Sequence, residues 1–444
     1  MNYLPIIGLE VHVELKTKSK MFCGCSADYF GHEPNTHVCP VCLGLPGALP
    51  VPNKKAIEWC AMLGLALNCK IPPLSKFDRK NYFYPDLPKG YQISQYDNPL
   101  CVNGQLGKIR IRRVHMEEDT GKLIHSKEGT LIDFNRSGVP LVEVVTEPDI
   151  HSAQEAKIFL QKLQQIIRYL GISDADMEKG SMRCEPNVSV RNGKWQMANG
   201  KSDRELPNYK VEVKNINSFR FVEKAINYEI ERQIDILKSG GKVGQETRGW
   251  LEAKGITLPQ RGKEEAQDYR YFPEPDIPPM RWQQSTINSL QLIIPELPDA
   301  KLERFMKDYG LSQYDGSILT SSLPVADYFE EAVRELKGLG GLKGFKAVAN
   351  WIINKRINIA EVSPGQLVQM IFQKAAPFTI SEEELKKVVE KVLLDNPKAV
   401  SDYKSGKTQA LMFLVGQVLK ETQGQAEPEK VREKLVALIP RVQI

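Results

Sequence analysis

The sequence predicts an α+β protein in which short strands and helices are followed by a wholly helical region. Three observations carry this. Residues 1 to about 293 mix short β-like runs with turn residues and only two clear helical patterns. From Pro295-Glu-Leu-Pro298 onward, apolar residues recur at three- and four-residue spacing. The chain, at 444 residues, is too long for one ordinary core, so two to three domains are expected.

The first strand is the run Gly8-Leu-Glu-Val-His-Val-Glu-Leu15. Glu10, His12 and Glu14 alternate there with Leu9, Val11 and Val13. A strand sends successive side chains to opposite faces, so one face is apolar and the other carries two carboxylates around an imidazole. Further strands are expected at 107–114, 130–134, 140–145 and 188–191. Helices are expected at 152–171, with Ser152 as cap and Gly171 as stop, and at 220–238, ahead of Gly240-Gly241. The proline-rich segment 258–279 reads as an irregular crossing. Helices follow at 299–309, 323–337, 344–358 and 365–374. A last unit starts where Ser381 caps Glu382-Glu383-Glu384. The expected domains are 1–293, 294–375 and 376–444.

Composition excludes several classes. A 41% hydrophobic and 26% charged chain is globular, and +5 is too small a net charge to establish nucleic-acid binding. No apolar run approaches the ~18–20 residues that span a bilayer. The N-terminus lacks a basic stretch before an apolar core, so no secretory signal is expected. Of eight cysteines, four are clustered, and the rest sit in mostly apolar settings. That usage suggests reduced thiols and a metal site rather than disulfides.

Cys23-Gly-Cys25, thirteen residues, then Cys39-Pro-Val-Cys42 resembles a pair of zinc knuckles. Tetrahedral zinc needs four thiolates, and short loops place two at each knuckle. Free buried thiols and a redox pair are the alternatives. The Glu10/His12/Glu14 face gains company from His115-Met-Glu-Glu-Asp119 and from Glu143 and Glu147 on a third strand. Carboxylates with one imidazole suit Mg²⁺ better than zinc. The plainer alternative is acids paired with Arg110, Arg112 and Arg113.

Lys76-Phe-Asp-Arg-Lys-Asn-Tyr-Phe-Tyr-Pro-Asp86 and Asp268-Tyr-Arg-Tyr-Phe-Pro-Glu-Pro-Asp276 interleave basic and aromatic residues. That texture suits stacking and phosphate contact. Arg183-Cys-Glu-Pro-Asn187 and Lys214-Asn-Ile-Asn-Ser218 are polar segments able to bind a polar ligand. Arg79, Lys80, Tyr82, Arg183 and Lys214 are therefore the candidate nucleotide-binding residues. Ser401-Asp-Tyr-Lys-Ser-Gly-Lys-Thr408 is a near-miss for a P-loop: Ser401 stands where Gly belongs and no strand precedes it. No Gly-x-Ser-x-Gly elbow and no amidase-type paired serines occur, so the chain lacks an acyl-transfer nucleophile.

Taken with Phe413-Leu-Val-Gly-Gln417, the strand at 8–15, the two basic–aromatic segments and His115–Asp119 resemble one family over essentially the whole chain. It is the B-subunit family of the tRNA-dependent aspartyl/glutamyl amidotransferases. The resemblance implies a cradle-shaped catalytic domain, a helical domain and a helical tail that meets tRNA. It implies a heterotrimer with an amidase A-subunit and a small C-subunit. It places Mg²⁺ on Glu10, His12, Glu118 and Glu143, and Zn²⁺ on Cys23, Cys25, Cys39 and Cys42. The chain departs from the family in a shorter stretch after Pro364, with a segment near Lys374–Phe378 missing.

The expected function is ATP-dependent conversion of Glu-tRNA(Gln) or Asp-tRNA(Asn) to the amide, in the cytoplasm or an organellar matrix. The chain would phosphorylate the side-chain carboxylate, and a partner would deliver ammonia. Two other readings are a non-catalytic zinc-stabilised RNA-binding module and an amidoligase for a small free acid. The carboxylate set speaks against the first, and the helical C-terminal third against the second.

Overall fold

In the computed structural model the described residues are 3–192, 206–262, 270–338, 344–355, 357–375, 380–422 and 426–439. The chain divides into two compact units, Met1–Asp327 and Tyr328–Ile444. The helices expected over 294–375 are shared between them.

The first unit runs, in order, through β1 (Tyr3–Glu14), α1 (Lys54–Ala66), β2 (Leu74–Ser75), β3 (Asp78–Asn81), β4 (Tyr91–Ser94), β5 (Cys101–Leu106) and β6 (Ile109–Glu118). Then come β7 (Lys122–His125), β8 (Thr130–Asp133), β9 (Pro140–Thr146), α2 (Ala153–Tyr169), β10 (Met182–Asn192), β11 (Val211–Lys214) and α3 (Phe219–Lys238). It continues with β12 (Glu246–Leu251), β13 (Ile256–Gly262), β14 (Arg270–Pro273), β15 (Met280–Arg281), α4 (Gln284–Leu292), α5 (Pro298–Tyr309) and α6 (Gln313–Leu319).

Eight strands form one sheet in the order β13-β12-β11-β10-β1-β9-β6-β5. Its pairs are antiparallel except β11–β12, and α3 supplies the crossover that a parallel pair requires. β1 lies between β9 and β10, so its alternation decides the character of both faces. Leu9, Val11 and Val13 are buried in the main core with Phe159, Leu160 and Leu163 of α2 and Val222, Ala225 and Ile226 of α3. Each of these larger side chains, Ala225 apart, contributes about 1.5–3 kcal/mol on burial. Ser152 caps α2 by accepting from the Glu155 amide, and Gly171 follows it with φ 67°. Ser218 caps α3 in the same way.

The opposite face of the sheet is polar. Beside it stands a second sheet, β14-β3-β4, whose strand β4 packs on β6. Part of the stretch read as an irregular crossing thus folds as strands: β13, β14 and β15 all lie within or against 258–279. Asp268 and Tyr269 of the second basic–aromatic motif fall outside the described residues.

Helix α7 (Leu323–Gly338) carries the boundary between the units. The second unit adds α8 (Phe345–Asn354), α9 (Pro364–Ala375), α10 (Glu382–Asp395), α11 (Pro397–Lys404), α12 (Gln409–Glu421) and α13 (Pro428–Leu438). Ser381 forms a full capping box with Glu384. Leu385, Val389, Leu414, Val418, Val431 and Leu435 form a core of their own, with α12 packed on α10, α11 and α13. The P-loop near-miss is the turn between α11 and α12, where Lys407 bonds Asp402. The expected deletion near Lys374–Phe378 lies outside the described side chains.

Candidate functional site

Strand register assembles the polar face. His115, Glu143 and His12 stand side by side on β6, β9 and β1. Two residues along β6 comes Glu117. His12 Nε2 lies 3.7 Å from Glu143 and 3.8 Å from Glu117. His115 Nε2 lies 3.1 Å from Glu143 and 3.5 Å from Glu117. Ser94 and Gln92 of β4 donate to Glu117 at 2.8 and 3.2 Å. Apart from His12, all of these are buried.

The electrostatics follow from this packing. Burial opposes ionisation of Glu143, but the His115 and His12 charges outweigh it and hold the carboxyl down at about 2. Glu117 is also held low: burial is overcome first by Lys80, then by His115 and His12. Burial disfavours a charged His115, yet Glu143 and Glu117 raise it above its ordinary value. Lys80 is raised too, against burial, by Glu117 and Tyr271. Lys80 stands on the second sheet, in register with Tyr271, and its charge bears on the carboxylates from there.

The set Glu10, His12, Glu118 and Glu143 is not brought together. Ligand atoms of His12, Glu117 and Glu143 lie within 4.8 Å of one another. Glu118 leaves β6 on the other side. It accepts from Lys89 Nζ at 2.6 Å and from the Ile93 amide at 3.0 Å. There it lines a cavity of about 260 Å³ with Cys42, Arg79 and Lys89. Glu117 is thus the residue that stands where Glu118 was expected. Glu10 belongs to a neighbouring group with Glu185 and Glu212. Burial, then the Glu143 charge, raises its carboxyl.

The five candidate nucleotide contacts also separate. Arg79 is bidentate to Glu274, at 2.7 and 2.9 Å, and stacks over Tyr91. Arg183 is held by Glu14 and Asp119. Lys214 is held by Glu185 at 2.9 Å. Those three are committed to carboxylates of the chain. Lys80, with its ammonium 5.9 Å from the Tyr82 ring, bears on the Glu117 and Glu143 carboxylates of the His12 group.

The four thiols converge. Cys23, Cys25, Cys39 and Cys42 place their Sγ atoms within 4.8 Å of one another, with Cys39 and Cys42 3.9 Å apart. A tetrahedron with ~2.3 Å zinc–sulfur bonds has edges of about 3.8 Å. The buried Lys20 ammonium lies 3.7 Å from Cys42 Sγ. The Cys42 thiol is pulled down to about 4, chiefly by the Cys23 hydrogen bond, against burial. The donor set fits zinc. The His12, Glu117 and Glu143 set fits a hard divalent cation. The remaining cysteines, Cys60, Cys69, Cys101 and Cys184, are buried and free. Among the described residues, no helix is long and apolar enough to cross a membrane.

Sequence reasoning missed His115, Glu117 and Glu185 as site residues. A period-two count along Arg113-Val-His-Met-Glu117 places 113, 115 and 117 on one face and 118 on the other. That signal was available for Glu117.

These features define a class: an α+β protein with a four-thiol cluster and a carboxylate–imidazole floor. Residues 5–288 match the GatB/GatE catalytic domain, and residues 361–439 match the GatB domain. Among similar curated proteins is the B subunit of the aspartyl/glutamyl-tRNA(Asn/Gln) amidotransferase of Caldicellulosiruptor saccharolyticus, 48% identical over 98% of both chains. That of Carboxydothermus hydrogenoformans is 48% identical over 98% of both, and that of Roseiflexus sp. 46% over 100% and 99%. The chain belongs to the family of amidotransferase B subunits. Its alignment to the first relative runs over 490 positions, more than its own 444 residues, so it carries deletions relative to that protein.

Proposed function

We propose that this chain is the carboxylate-activating component of an ATP-dependent transamidation on Glu-tRNA(Gln), Asp-tRNA(Asn) or both. The observation that carries the reading is the His12–Glu117–Glu143 group with Lys80 above it, in a chain of this family that lacks an amidase nucleophile. A carboxylate is a poor acyl donor to ammonia. Attack of its oxygen on the γ-phosphorus of ATP releases ADP and gives an acyl phosphate. Ammonia then attacks the acyl carbon and phosphate leaves.

His12, Glu117 and Glu143 would hold Mg²⁺, which would neutralise charge on the phosphate oxygens. His115, wedged between the two carboxylates, fixes their orientation. Lys80 brings a positive charge against the same site, matched to phosphate. Zinc on the four cysteines would be structural, ordering the segment between β1 and α1. Ammonia would come from an amidase A-subunit, with a small C-subunit completing a heterotrimer. Residues 1–293 would carry the chemistry and 376–444 would meet tRNA. The cytoplasm or an organellar matrix, where translation runs, is the matching compartment.

The test is an amidation assay on the reconstituted complex with each misacylated tRNA, glutamine and ATP. Amide formation with at least one tRNA, dependent on ATP, is expected. Tight tRNA binding with no ATP-dependent amide would favour an RNA-binding module.

A further inference from the structure

Strand β6 carries three arginines, and two are spoken for. Arg110 is bidentate to Asp149, both contacts at 2.8 Å. Arg112 is bidentate to Glu147, at 3.0 and 2.9 Å. Arg113 makes no hydrogen bond or ion pair among the described residues, and its Nε is buried without a partner. Buried polar donors are rarely left unmet, and a partly buried guanidinium calls for an anion.

Its placement says where that anion comes from. Arg113 is two residues from His115 and four from Glu117, and the three share one face of the strand. The β6–β9 register shifts between Ile111 and Arg113, a bulge of the kind that re-aims side chains beside active sites. Arg113 pairs with Val145, which in turn pairs with Glu10, so a small apolar residue separates Arg113 from the nearest carboxylate of that row. From the other side, the Arg113 charge bears on the Tyr271 phenol, the register partner of Lys80.

We propose that Arg113 is a substrate-binding residue: its guanidinium receives two oxygens of a substrate oxyanion at the His12–Glu117–Glu143 site. The inference rests on the transamidation reading. Two substrate groups have this chemistry, the side-chain carboxylate of the aminoacyl-tRNA and the terminal phosphate of ATP. The planar fork of arginine matches either, whereas an ammonium is only a point charge. Lys80 and Arg113 would then face the reacting oxygens from two sheets.

The test uses Arg113→Gln and Arg113→Lys in the reconstituted complex. Both should lower kcat/KM for amidation at least tenfold, with the lysine variant recovering only part of the loss. Glutamine hydrolysis and the melting temperature should stay unchanged. A raised KM for ATP identifies the phosphate as the anion; a raised KM for aminoacyl-tRNA identifies the carboxylate. Unchanged kcat/KM for both substrates in Arg113→Gln overturns the proposal. A second measurement stands apart from amidation. Phenylglyoxal labelling of the intact chain, read by peptide mass, should modify Arg113. Inorganic phosphate or glutarate should protect it. Should the wild-type complex amidate nothing, the function reading falls while this protection still decides on Arg113. Protection by neither anion overturns the assignment.

Discussion

Glu117 and Glu118 are adjacent in the chain and serve opposite sides of β6. Glu117 faces His12, His115 and Glu143, and is held by Ser94 and Gln92. Glu118 faces Lys89 and the cavity that also borders Cys42. Glu117→Gln, His12→Ala and Glu143→Gln should each weaken divalent-cation binding by more than about tenfold, since even outer-shell changes cost ~10–100-fold. Amidation should fall with it, while glutamine hydrolysis by the partner survives. Glu118→Gln should leave cation affinity unchanged. Mn²⁺ titration of the four variants checks this; a loss confined to Glu118→Gln would return the site to that residue.

The two glutamates also show what was legible in the sequence. The β1 alternation, the Ser152 and Ser381 caps and the cysteine spacing are local signals, and each has its counterpart in the structure. Choosing between Glu117 and Glu118 needed only the strand period. The group Glu10, Glu185 and Glu212 needed strand pairing across about 175 residues of chain, which no local pattern carries. Helix α1 went unread because it is apolar on most sides, burying Cys60, Ala61, Met62, Leu63 and Gly64 in succession. Such a helix shows no amphipathic stripe. The strands near 258–279 were hidden by Pro259 and Pro273, residues confined to edges of sheets; β13 and β14 are both edge strands.

The close seating of α1 gives a second prediction. A Cβ on Gly64 would stand 2.2 Å from Cys101 Sγ and 2.8 Å from its Cβ, on β5. Gly64→Ala therefore forces helix and strand apart although alanine is the better helix former. Overpacking of this kind costs about 1–3 kcal/mol. Denaturant unfolding should show that loss. A neutral or stabilised variant would mean the helix can shift freely.

Removing the zinc proposed for the four thiols should melt one region. The four thiols lie within residues 23–42, a segment also held by Lys20 on the His37 carbonyl at 2.7 Å, by the His37 amide on Asn135 at 2.8 Å, and by Asn35 on Asp133 and Ile132. Structural zinc in small fingers supplies ~10–16 kcal/mol of binding free energy. Chelation, or Cys42→Ser, should raise amide exchange across residues 16–53 and leave α2 and α3 protected. Elemental analysis should return about one zinc per chain. Unchanged exchange after verified metal removal would rule out a structural role.

Glu229 of α3 is fully buried and binds Arg232, Arg248, Thr257 and Gln233, fastening the helix to β12 and β13. Removing it leaves two guanidinium groups with Glu246 as their remaining carboxylate partner. Breaking a buried pair from one side costs ~3–5 kcal/mol. Glu229→Ala should lose stability on that scale, with KM for ATP unaffected below the new melting temperature. A loss under about 1 kcal/mol would mean that water or Glu246 replaces the missing carboxylate.

The C-terminal helices should supply tRNA affinity without chemistry. Their core is independent, from Leu385 to Ile439, and Lys398, Lys404 and Lys407 are exposed around the α11–α12 turn. Pockets on this unit are lined by Lys398 and Lys407 beside Phe413, and by Arg432 beside Met412. Cations interleaved with exposed apolar side chains suit a phosphate backbone and its bases. Among the described residues this unit offers no group of three His, Cys, Asp or Glu that could hold a metal. Deleting 376–444 should therefore weaken tRNA binding at least tenfold at matched salt and flatten the dependence of affinity on salt. Cation binding at His12, Glu117 and Glu143 should persist in the truncated protein. Equal tRNA affinity with and without the segment, at two salt concentrations, would move the tRNA contact to the first unit.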